Sequence, residues 1–129
     1  MTHPRVVNVR SAAPYEVYVG RGRCPRTGRV GRWGNPHTVR KHGKGAMRLF
    51  LDDLAEAHAE PEAWGLLLEA LRQDLAGKVL GCWCAGVHPV CHAEVYARLV
   101  DGEELAAIRA DMFARLGLAG GAPPTNEEK

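Results

Sequence analysis

The sequence predicts an α/β fold: a small mixed or parallel sheet with flanking helices, packed in layers as a single domain. Three observations predict it. Two short β-branched runs open the chain, a long stretch with helical periodicity follows, and a third short apolar run comes after the glycine that ends that stretch. Strands spaced apart by helices favour this class over an all-helical or all-β one. The chain has 129 residues, 46% of them hydrophobic and 25% charged. That is one domain's worth of ordinary globular composition, able to bury roughly two thirds of its unfolded surface without disulfide staples.

Residues 5–10, with Val6, Val7 and Val9, read as the first strand. Residues 15–19, with Val17 and Val19 between tyrosines, read as the second, ended by Gly20. From Gly20 to Gly45 glycines and prolines interrupt any period, so a long loop is expected, and a loop of that length inside a compact domain usually has a function. Met47, Phe50, Leu51 and Leu54 then follow the i, i+3, i+4, i+7 spacing of one helix face. Pro61 suits the first position of a second helix, which carries Trp64, Leu67, Leu68, Leu71 and Leu75 and stops at Gly77. Residues 78–84 read as a strand and 91–99 as a helix. Asp101 and Glu104 have the spacing of a capping box for a last helix over 102–116. The domain is therefore expected to span 1–116, with 117–129 as a flexible tail.

The net charge of +2 conceals a split. Residues 1–48 hold eleven Lys/Arg against Glu16 alone, giving +10; residues 49–129 hold six against fourteen acids, giving −8. A basic front half implies a phosphate-bearing partner, a nucleotide or a nucleic acid. No apolar run approaches the ~18 residues of a membrane span, and the N-terminus lacks a signal peptide's apolar core. The expected location is the cytoplasm, with no membrane partner.

Two constellations carry chemistry. The first is Cys82-x-Cys84 followed by Cys91-His92. On a strand, residues i and i+2 share a face, so Cys82 and Cys84 would project together. Cys91 and His92 would open the next helix, where the macrodipole favours a thiolate. Gathered thiolates and an imidazole suit zinc or iron, which take about four such ligands. Cys24 or His88 could complete the set; adjacent Cys91 and His92 are an awkward pair for one ion on a regular helix turn. A reactive Cys91 thiolate, with His92 as acid–base partner, and plain buried cysteines are the competing readings. The spacing from Cys91 to Arg98 is one residue too long for a cysteine phosphatase loop.

The second constellation is the basic loop: Gly20, Arg21, Arg23 and Cys24, then Arg32, Trp33, Gly34, Asn35 and Pro36. Arg21, Arg23 and Arg32 would contact phosphate, Trp33 would stack on a base or close as a packing lid, and Gly34, Asn35 and Pro36 would shape the turn. It is neither a Walker loop nor a dinucleotide fingerprint. Asp52 and Asp53 read as a solvated helix face, and Glu94 as a first-turn acid favoured by the dipole.

In their order, the YVGRG and GRWGNP stretches and the later GKVLGCWCAG and VCHAEVYARL stretches resemble an uncharacterised family. It is a bacterial and phage domain of unknown function marked by GR…WGNP and CWC…CH. The likeness spans about residues 6–99 and leaves the last helix outside it. It implies that Gly20, Arg21, Trp33, Gly34, Asn35, Pro36, Cys82, Trp83, Cys84, Cys91 and His92 are the functional positions. The CWC…CH part is also similar to a larger unknown-function family with an L-C-x-E…C-H-R signature, which implies a Rossmann-like sheet. Here Cys84 stands in place of that glutamate and Ala93 in place of that arginine. Neither resemblance implies an activity. The residues favour a nucleotide-directed binding protein, with hydrolysis or group transfer as the chemistry to look for if it is an enzyme, over a non-catalytic zinc-stabilised module binding nucleic acid or a protein.

Overall fold

A computed structural model describes residues 4–20, 22–28, 31–36, 45–83 and 90–117. It is an α/β domain with a three-stranded parallel sheet. The strands are β1 (Val6–Asn8), β2 (Val17–Tyr18) and β3 (Leu80–Cys82), in the order β1-β3-β2. The helices are α1 (Gly45–His58), α2 (Pro61–Leu75), α3 (His92–Val100) and α4 (Leu105–Leu116). All lie where the periodicity put them, though each strand is three or four residues shorter than its apolar run.

The central strand is the last in sequence. Val6 pairs with Leu80 and Asn8 with Cys82 on one side, while Val17 pairs with Leu80 and Tyr18 with Gly81 on the other. Leu80 and Cys82 face the main core, where Val6, Leu51, Leu71, Leu75, Val95 and Ile108 are also buried. Gly81 faces the opposite way, against the Tyr15 ring; a Cβ there would lie 2.5 Å from that ring, so the centre of the sheet requires glycine.

Helix α2 begins with Pro61 at its first turn, where a missing N–H costs nothing, and gives way to Gly77 at φ +71°. Its buried stripe, Leu71 and Leu75, meets α3, and α3 also covers β1 and β3. Helix α4 packs on α1 and α3. The expected capping box is not made. Glu104 is the residue before α4 and gives no side-chain cap, while Asp101 ends α3 and accepts a hydrogen bond from Arg5 at 2.5 Å. An acid beside a partly buried guanidinium gains more there than as a helix cap. Among the described residues no helix is long and apolar enough to cross a membrane. The expected tail from 118 onward lies outside the described residues.

Candidate metal centre

Cys82 closes β3, Cys91 is the residue before α3, and His92 is the first residue of that helix. Their ligand atoms all lie within 4.8 Å of one another, and the residues are 2%, 3% and 6% exposed. The awkward pairing of Cys91 with His92 is removed by the backbone. Cys91 is extended, at φ −142° and ψ 131°, so its side chain does not follow the helical 100° step and can share a side with His92.

The imidazole is held tightly. Its Nε2 lies 2.5 Å from the Val19 carbonyl oxygen. A carbonyl only accepts, so Nε2 carries the hydrogen and Nδ1 carries the lone pair. Nδ1 lies 3.8 Å from Cys82 Sγ. Tetrahedral zinc at usual bond lengths would place such an S and N about 3.6 Å apart. Phe50 and Tyr96 meet the ring edge-on at centroid distances of 5.8 and 6.0 Å and wall it in. A backbone carbonyl orienting a histidine from behind is the usual support of a metal-bound imidazole. The donor set, two thiols and one oriented imidazole, therefore fits a soft transition ion. Cys84 and His88 lie outside the described residues.

Cys24 is not part of this group. It sits in a second, smaller cluster with Val9 and Tyr18, 4% exposed, with Sγ 3.1 Å from the Tyr15 hydroxyl. Burial by itself would push this thiol up. Hydrogen bonds from Tyr15, from the Thr27 side chain and from the Arg26 and Thr27 amides outweigh it and bring the thiol down to about 7. Tyr15 moves the other way, to about 12, through burial and then through the same bond. Cys24 lines a cleft of about 630 Å³ together with Tyr15, Tyr18, Arg32, Asp74 and Lys78.

The basic loop is largely self-braced. Trp33 is 8% exposed, donates its indole N–H to Asp74 at 2.8 Å, packs edge-on against Tyr96, and has the Arg32 guanidinium 4.7 Å above its ring. It packs as a wall. Arg32 pairs with the same Asp74 at 2.9 Å, and Arg23 donates to the Gly28 carbonyl at 2.9 Å. Asn35 is buried and donates to the Ala46 carbonyl, tying the loop to the start of α1. Gly34 is half-buried and Pro36 exposed. Gly20 and Gly31 press together against Tyr18: a Cβ on Gly31 would lie 2.6 Å from the Gly20 carbonyl. Arg21 lies outside the described residues. The structure thus brings Cys82, Cys91 and His92 together and leaves Cys24, Arg23 and Arg32 elsewhere.

Asp74, Tyr15, Thr27 and the Val19 carbonyl are partners that sequence reading missed. Asp74 meets Trp33 across 41 positions, and no spacing rule announces such a contact.

Residues 5–102 match the family described as a domain of unknown function, DUF4326. The chain belongs to the DUF4326 family. Within this member the metal-capable trio and the GRWGNP loop both fall inside the shared segment, while the whole of α4 falls beyond it. No curated protein and no solved structure matches the chain.

Proposed function

We propose that this DUF4326 protein is a metal-stabilised module that binds a nucleotide or nucleic-acid phosphate. The convergence of Cys82, Cys91 and His92 on one buried point carries the reading. Zinc is the ion that best suits two thiolates and one imidazole without further demands on geometry; iron is the alternative the same ligands accept. A tetrahedral site asks for one more ligand, and Cys84 or His88 is the sequence's candidate for it. The +10 charge of residues 1–48, with Arg10 and Arg23 exposed, supports a phosphate-bearing partner.

A catalytic reading gives Cys91 or a metal-activated water the attacking role and His92 the proton. The burial of all three ligands favours a closed, structural site over an open one. The cleft beside Cys24 and Lys78 is the observation that keeps a small phosphorylated substrate in view.

Metal analysis of the purified protein tests the centre. One zinc or iron per chain is expected in the wild type and well under half of that in Cys82→Ser. Equal metal content in both would overturn the assignment.

A further inference from the structure

The carboxyl ends of all three strands build one feature that the metal centre does not use. Trp83 follows β3 directly and is 39% exposed, the only large aromatic side chain among the described residues left so open. It is nonetheless pinned. Its indole N–H donates to the Tyr18 hydroxyl at 2.8 Å, at the end of β2. Its carbonyl accepts from the Asn8 side-chain amide at 2.9 Å, at the end of β1. The same Asn8 side chain uses its oxygen to accept the Arg10 backbone N–H at 2.8 Å. Asn8 thus ties the backbone at Arg10 to that at Trp83, and the Arg10 guanidinium lies over the indole ring, 5.2 Å from its centroid. Arg10 is exposed and makes no ion pair with any described residue.

An indole left 39% exposed forgoes part of what full burial would supply, and pinning it costs rotamer freedom. A fixed aromatic plane beside an unpaired guanidinium has a chemical complement: a flat base that carries a phosphate. Carboxyl ends of parallel strands are also where open α/β sheets receive ligands. We infer that Trp83 is a base-stacking platform, with Arg10 taking the adjoining phosphate and Asn8 and Tyr18 as positioning residues. The inference rests on the nucleotide or nucleic-acid reading above and places its contact at Trp83 instead of Trp33.

The test measures binding of a fluorescein-labelled oligothymidylate by anisotropy, and of ATP by competition, at low and physiological salt. Wild type is expected to bind, and Trp83→Ala to weaken binding by roughly 5- to 100-fold. Trp83→Phe, which keeps a ring, retains most of the affinity and controls for folding. Ligand should quench tryptophan emission in wild type and in Trp64→Phe, but not in Trp83→Phe. Tighter binding of the oligonucleotide identifies a strand as the ligand, and equal or tighter binding of ATP identifies a mononucleotide; either supports the platform. Equal affinity of wild type and Trp83→Ala overturns the platform and leaves phosphate binding standing. Absence of binding by the wild type overturns both.

Discussion

Cys24 and Cys82 are both buried thiols, yet their surroundings prepare them for different chemistry. Cys82 faces the sulfur of Cys91 and the nitrogen of His92; Cys24 faces donors only. Four donors bring Cys24 to about half thiolate near neutral pH, and the residue lines a cleft. Iodoacetamide labelling followed by peptide mass spectrometry should show Cys24 modified with a midpoint near pH 7, against about 9 in the unfolded chain. Tyr15→Phe removes one donor and should move the midpoint upward; an unmoved midpoint would take the hydroxyl out of the account. The folded value lies below the unfolded one. The thiolate therefore adds stability fully present above pH 9, which is lost as pH falls through about 7. None of this was legible in the sequence, because Thr27 reaches the sulfur through the turn that follows it and Tyr15 from nine positions before it.

Helices α3 and α4 share the apolar core and are also joined by an ionic clamp. Glu94 is buried and accepts both Arg115 nitrogens, at 3.0 and 2.9 Å. Arg98 reaches Asp111 at 2.6 Å and Glu103 at 3.0 Å, and Arg115 also reaches Asp111 at 2.8 Å. These bonds hold both guanidinium groups above their ordinary range. Burial works to raise Asp111, but its two arginines win and hold it below the usual carboxylate range. Reading Glu94 as a dipole-favoured first-turn acid therefore missed its main role, since its partner lies 21 positions away on another helix. Glu94→Ala removes the bidentate partner of Arg115 in a partly buried place. It should cost about 3 kcal/mol in urea unfolding, the low end for a broken buried pair. A loss below about 0.5 kcal/mol would mean that the clamp contributes no more than a surface pair.

The whole molecule places its metal-capable trio where β3 and α3 meet, so an ion there would tie the sheet to its covering helix. An ion held at about 100 times its dissociation constant contributes about 2.7 kcal/mol. In a chain of this size that is about 10 °C of melting temperature. A strong chelator should lower the midpoint by that amount and added zinc restore it; an unchanged midpoint would remove the ion from the folded core. At this scale the sequence was most readable. Strand, helix and helix pairs announce themselves through local periodicity, and the cysteine spacing marked one corner of the sheet. The strand order and the non-local partners of Trp33, Cys24 and Glu94 depend on contacts that no local window contains.

The position of β3 has a consequence for how the chain reaches this state. Both neighbours of the central strand are made long before it, with Val6 paired 74 positions and Val17 63 positions from Leu80. Every strand pairing waits on closure of a long loop, an entropic cost met before any ladder bond forms. During synthesis α1 and α2 emerge and can pair as a local hairpin, while the two opening strands remain without a ladder partner until residue 82 clears the ribosome. The apolar faces of Val6 and Val19 stand open for that interval, which makes the N-terminal arm the part of the nascent chain in most need of protection from self-association.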